Sequence, residues 1–186
     1  MKKVMVFTSS PNLEGLTATC GNMAKSGAEA AGAEVVMTNL NRLQIGHCRA
    51  CGQGWGPCRN QHECQVKDDF QDIHASMADM DGFVMVTPVY WGDMSESAKA
   101  FTDRLRRCEA LKEKSFLEEK PVIAVAAAGG SGNGVISTLT NIERLLMQVR
   151  ADKFDLIGIT QKSRGYKLDA IHEAARAMVG FLKANG

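Results

Sequence analysis

Residues 82–92 read Gly82-Phe83-Val84-Met85-Val86-Thr87-Pro88-Val89-Tyr90-Trp91-Gly92. The first six form an apolar run without polar alternation, so the strand they predict is covered on both faces. Pro88 lacks a ladder donor and Gly92 favours a turn, so the strand stops and a loop opens. Working outward, further strands are predicted at 4–7, 34–40, 121–128 and 154–160. Helices are predicted between and after them, at about 17–31, 68–80, 95–111, 133–149 and 168–183. Asp68 and Asp69 offer cap chemistry to the second helix. Ala98, Phe101, Leu105 and Cys108 share one face of the third, and Ile136, Leu139, Thr140 and Ile142 lie near the inner face of the fourth. Apolar strands alternating with helices make an α/β protein with a doubly wound parallel sheet.

The chain has 186 residues and reads as a single domain over 1–186, with no repeat and no low-complexity segment. The net charge of +1 supplies no field for nucleic acid or an anionic membrane. The charged cluster at 112–120 mixes signs and reads as a solvated loop or helix end. The apolar run at 4–7 is too short for a signal-peptide core, and no stretch approaches the roughly 20 apolar residues of a membrane helix. A cytoplasmic protein is expected. Its six cysteines then read as thiols, metal ligands or redox groups, not structural disulfides.

Ligands of open parallel sheets sit outside the carboxyl ends of the strands. The loop after the first strand, residues 8–17, offers hydroxyls and backbone N–H groups ahead of a helix N-terminus, where an anion is stabilised. It has neither the dinucleotide fingerprint nor a Walker lysine, which suits a phosphate monoester. The bland alternative is a polar turn with Ser10 or Thr17 as a cap. The loop after the third strand sets Tyr90 beside Trp91 in a chain with only two of each type. They can wall a flat conjugated ring or plug the top of the sheet. The loop after the fourth strand, Gly129-Gly130-Ser131-Gly132-Asn133-Gly134, allows close backbone approach, or is simply a flexible turn.

These stretches together resemble the NADPH-dependent FMN reductases and their flavodoxin-like relatives. Residues 8–17 are similar to that family's Gly-Ser-Pro-Arg-x-x-Gly-Asn-Thr phosphate loop. Thr87-Pro88-Val89-Tyr90-Trp91-Gly92 is very close to its flavin-facing loop, and Lys99-Ala100-Phe101-Thr102-Asp103-Arg104 to its Lys-x-Phe-x-Asp-Arg helix. The glycine run falls where the family has a third flavin loop. The resemblance covers essentially the whole chain. It implies a flavodoxin-like five-stranded sheet in the order 2-1-3-4-5, FMN as cofactor and NAD(P)H as co-substrate. It further implies that Ser10, Asn12 and Thr17 hold the FMN phosphate in a loop shared with Ser9, Gly15 and Leu16. Pro88, Val89, Tyr90, Trp91 and Gly92 would border the isoalloxazine, and Gly129, Gly130 and Gly132 would close over its other side. Ser9 stands where the family has Gly, and Leu16 where it has Asn. Leu16 has no side-chain donor, so weaker FMN binding is expected.

The implied activity is flavin-centred, with no assigned acid–base residue. Asp93 and His172 are conceivable proton donors, but cap and surface roles suit them. The expected function is reduction of a flavin or quinone-type acceptor by NAD(P)H. The alternatives are an electron carrier serving a protein partner and a flavin-free module on the same fold. A homodimer or homotetramer is implied, with the cysteine loop and Trp55 as a candidate contact.

That loop, at about 46–66, holds Cys48, Cys51, Cys58 and Cys64 with the spacing C-x2-C-x6-C-x5-C. Iron–sulfur flavoproteins, a subset of the family, carry C-x2-C-x2-C-x(4–7)-C just before the segment written here Val66-Lys67-Asp68-Asp69. Gly54 stands where the third cysteine belongs, and Cys58 is its displaced substitute. The set suits a 4Fe-4S cluster, a tetrahedral zinc, or thiols without metal. His47 and His62 are substitute ligands or surface histidines; Cys20 and Cys108 read as core residues.

Overall fold

The computed structural model describes residues 1–185. The elements run β1 (Lys3–Thr8), α1 (Leu16–Ala30), β2 (Glu34–Asn39), α2 (Phe70–Ser76), β3 (Gly82–Pro88), α3 (Glu96–Glu109), β4 (Pro121–Ala128), α4 (Val135–Gln148), β5 (Asp152–Thr160) and α5 (Arg164–Ala184). All strand pairs are parallel, in the order β2-β1-β3-β4-β5. This is the expected flavodoxin-like sheet. β3 and β4 are buried along their whole length, which is why they read as unbroken apolar runs.

Successive strand residues serve opposite faces. Met5 and Phe7 join a core with α2, α3 and α4, while Val4 and Val6 join one with α1 and α5. From β1 the chain winds outward to β2, and from β3 it winds the other way. The switch point therefore lies between the carboxyl ends of β1 and β3, beside the loops singled out above. Among the described residues no helix is long and apolar enough to cross a membrane.

Two expectations need correction. Ile136 is 76% exposed, and Val135 and Thr138 face the core in its place, because α4 is rotated from the expected phase. Asp69 does not cap α2; its Oδ2 accepts from the Gln44 backbone N at 2.6 Å. Asp68 does that work, its Oδ1 accepting from the Phe70 N at 3.1 Å. The segment at 112–120 is a loop with Glu113, Lys114 and Glu119 exposed, as expected, and it is anchored by Ser115 and Leu117, which are buried beneath the end of α3.

Candidate functional site

The β1–α1 loop is shaped by its own side chains. Ser10 Oγ accepts from the Asn12 N at 3.1 Å, and Asn12 Oδ1 accepts from the Glu14 N at 3.0 Å. Both acceptors are thereby occupied, and the Ser10 hydroxyl and Asn12 amide keep hydrogens to donate. Gly15 is the N-cap of α1 and no side chain caps it. The first N–H groups of the helix have no intrahelical acceptor and favour an anion. Asn39 Nδ2, at the end of β2, holds the loop by donating to the Ser10 carbonyl at 3.2 Å. Ser9 is buried and its Oγ leans toward the Val86 carbonyl, so only its backbone faces the loop. Thr17 is buried on the first turn. The Leu16 side chain joins the α1–α5 core, which leaves that position its backbone N–H alone.

The N-terminus of α3 ties this loop to the next. Ser95 and Ser97 both donate to the Ser9 carbonyl, at 2.9 and 3.3 Å, and the Ser95 N donates to Thr87 Oγ1 at 3.1 Å. Sequence reading passed over these two serines. Ser95 is wholly buried and caps its helix through Ala98 N, the usual work of a serine before a helix, and this masks its second bond.

After Pro88 the chain makes a tight hairpin. Tyr90 and Asp93 exchange backbone hydrogen bonds of 2.8 and 3.1 Å across Trp91 (φ 50°) and Gly92 (φ 81°). Positive φ at both central residues defines a primed turn, which suits Gly92 and strains Trp91. Trp91 is fully exposed at the tip. Gly134 (φ 84°) lets α4 meet this hairpin, since a Cβ there would stand 2.5 Å from Gly92 Cα. Ser137 Oγ fixes the contact by donating to the Gly92 carbonyl at 2.6 Å. Val89, Trp91 and Gly92 thus share an open cleft of ≈ 440 Å³ with Gly129, Gly130 and Gly132. Pro88 is the buried end of β3 and Tyr90 lies outside the cleft, 40% exposed. Asp93 Oδ1 accepts from the Met94 N, a local turn bond, and His172 pairs with Glu173 on the outside of α5.

The four loop cysteines are half-buried free thiols, and all four line one small cavity under the loop. α3 supplies its floor through Arg104 and Cys108, with Arg107 and Arg49 at the margin. The Cys108 thiol is pushed up to about 12, first by burial and then by Cys64 and Cys58 nearby, so it stays protonated. Cys20, across the sheet, is likewise held at about 12 by burial. His47 is exposed and His62 lines a neighbouring cleft; neither reaches the cysteine cavity. Trp55 is held between Arg107 and Arg59, whose guanidinium carbons lie 4.7 and 5.8 Å from its ring. Among the described residues no three ligating side chains converge on a point where a single ion would sit. Four thiols line this cavity together with Arg49, Arg104 and Arg107, and thiols are the donor type that thiolate-bound clusters use.

A family profile described as NADPH-dependent FMN reductase matches residues 2–151. The chain belongs to the NADPH-dependent FMN reductase family. An iron-sulfur flavoprotein of Methanosarcina thermophila is 33% identical over 107 residues, which is 58% of this chain and 52% of that one. An iron-sulfur flavoprotein of Methanocaldococcus jannaschii is 27% identical over 145 residues, 78% of this chain and 72% of that one. The chain therefore spans about half the length of the first of these relatives. A solved flavone reductase superposes with a TM-score of 0.77 at 18% identity, covering 97% of this chain and 63% of that one. This last likeness concerns the fold. The profile match ends just before β5, so the FMN reductase family signal covers all three edge loops and the cysteine loop.

Proposed function

We propose that this chain is an FMN-binding oxidoreductase that passes electrons from NAD(P)H to a flavin or quinone-type acceptor. The observation that carries the reading is the meeting of three loops at the switch point of the sheet. One is an uncapped helix N-terminus with oriented donors, one a strained hairpin with an exposed tryptophan, and one a glycine run beside it.

In this reading the FMN phosphate lies on the β1–α1 loop. The Ser10 hydroxyl, the Asn12 amide, Thr17 and the N–H groups of Leu16 and Thr17 donate to it, and Gly15 leaves room for the Asn12 amide to lie close. The α1 dipole offsets the charge without a lysine or arginine. Trp91, Val89 and Gly92 border the isoalloxazine on one side, with Tyr90 and Pro88 shaping the hairpin, and the 129–134 loop closes the other. Bound there, FMN supplies the hydride- and electron-accepting chemistry, and the protein orients it and leaves one face open. Steady-state NAD(P)H oxidation with a quinone acceptor tests the reading: turnover well above that of free FMN supports it, and turnover equal to free FMN defeats it.

The phosphate loop gives a separate expectation. A hydrogen bond to a charged group is worth about 1.5–3 kcal/mol, so Ser10→Ala should weaken FMN binding by roughly 10- to 100-fold. Fluorescence titration with FMN reads this directly, and an unchanged Kd would remove Ser10 from the site.

A second reading is favoured by the cavity that gathers Cys48, Cys51, Cys58 and Cys64. In it, the chain also holds a 4Fe-4S cluster on these thiolates and exchanges electrons with a redox protein. The M. thermophila and M. jannaschii relatives carry iron-sulfur flavoprotein as their names. Six free thiols are in keeping with the reducing cytoplasm. A homodimer or homotetramer fits the apolar side chains that the hairpin and α4 expose, Trp91 and Ile136. Light scattering is expected to return a multiple of the 20.1 kDa chain mass, and a monomer would contradict this.

A further inference from the structure

Arg104 heads the large side chains that are fully buried, at 1% exposure. It sits within the apolar stripe of α3, between Phe101 and Cys108. Its Nη1 donates to the Gly46 carbonyl at 3.0 Å and to Asp68 Oδ2 at 2.7 Å, and its Nη2 donates to the Val66 carbonyl at 2.8 Å. Gly46 and Val66 are the two ends of the cysteine loop, just outside Cys48 and Cys64. One guanidinium therefore clasps both ends. Its carbon lies 4.3 Å from the Phe70 ring centroid, which fixes the plane of the fork.

These three bonds leave the Nε hydrogen of the guanidinium unused. Arg104 Nε is buried and has no hydrogen-bond partner among the described residues. A charged N–H left bare in a protein interior is costly, and such groups call for an explanation. Arg104 lines the same cavity as the four loop cysteines. The Asp68 carboxylate, 2.7 Å from Nη1, pairs the buried charge only through the fork and leaves Nε free. Arg107, by contrast, spends itself on the Gly54 carbonyl and the Trp55 ring.

We propose that Arg104 is the positioning residue of the cysteine pocket: it draws the loop ends together over α3 and offers Nε–H to anionic sulfur held inside. The proposal deepens the iron–sulfur reading above and, in its second half, rests on it. A fixed cation at the sulfurs favours the more reduced, more negative state, so it raises the reduction potential of a bound cluster. A purely structural role acts the other way, because a loosened loop admits water, which also stabilises the more charged state.

The test uses the full chain, purified anaerobically, as wild type, Arg104→Lys and Arg104→Gln. Iron, acid-labile sulfide and the midpoint potential are measured on each. On chelator-treated protein, the alkylation rates of Cys58 and Cys64 by iodoacetamide are followed by mass spectrometry. Arg104→Gln should alkylate at least about tenfold faster, since charge-assisted bonds of this kind hold closed states by that order. Its cluster should have a lower potential than wild type. Arg104→Lys keeps the charge and loses the fork, so its potential should stay near wild type while its alkylation quickens; it also guards against a simple folding defect. Wild-type alkylation rates in Arg104→Gln, or a potential that rises, overturn the proposal. Failure of the wild type to hold iron and sulfide defeats the iron–sulfur reading instead. The alkylation ratio then decides the clasp alone, and equal rates overturn it.

Discussion

Glu109→Ala is expected to lower the free energy of unfolding by about 3–5 kcal/mol, because it leaves several buried hydrogen-bond donors without a partner at about 1–3 kcal/mol each. Glu109 ends α3 with its side chain wholly buried. Oε1 meets His74 Nε2 at 2.7 Å, while Oε2 accepts from Ser115 Oγ at 2.8 Å and from the Phe116 N at 2.6 Å. Alanine would strand these donors and release the 112–120 segment from α2. Burial pushes this carboxyl up, but the bonds from His74, Phe116 and Ser115 prevail and bring it from its ordinary 4.5 down to about 2. A carboxyl depressed on folding adds stability that is fully present above its unfolded value. The contribution is therefore intact above pH 4.5 and disappears as the pH falls toward about 2. Urea unfolding at neutral pH and near pH 3 should show the wild type losing stability on acidification and Glu109→Gln losing much less. Equal acid losses in the two proteins would count against the assignment.

Gly134→Ala should reduce FMN affinity by tenfold or more, about 1.4 kcal/mol per factor of ten, while the protein still folds. Gly134 lies at φ 84°, where an L side chain is strained. Its new Cβ would also meet Gly92 Cα at 2.5 Å and Val89 Cγ1 at 3.1 Å. The hairpin at 90–93 must then lift off α4 and break the Ser137 bond to Gly92, and the cleft between the second and third loops changes shape. Gly180→Ala is the matched control, since nothing lies within 4 Å of a Cβ at that position on α5. FMN titration of both variants separates a hairpin effect from a general one. Gly134→Ala binding as tightly as Gly180→Ala would mean that the hairpin does not border the flavin.

The sheet was legible because β3 and β4 are buried on both faces, so 82–87 and 121–128 admit only one reading. The three edge loops were legible for the same reason: once the strands are placed, topology sets where they end. Phase was harder. Ile136 reads as inward by type and stands outward in fact, because α4 begins at Val135 from a left-handed Gly134 and not at Asn133. Arg104 carried a signal that went unused. It lies three residues after Phe101 and four before Cys108, so an arginine interrupts an apolar stripe, and a cation so placed must be paired. Glu109 gave less warning, because its partners lie in separate segments, on α2 and beyond the end of α3. The cysteine loop has no periodicity at all. Its path is set by Arg104, Asp68 and Gln71, whose Nε2 donates to the Cys64 and Val66 carbonyls, and such long-range bonds leave no local pattern.

The most direct measurement is the absorption spectrum of the anaerobically purified chain, before and after incubation with FMN and desalting. The account predicts flavin bands that stay with the protein, in proportion to chain concentration. A chain that remains colourless after incubation, with no FMN-induced rise in melting temperature, would contradict the flavin site at the carboxyl edge of the sheet.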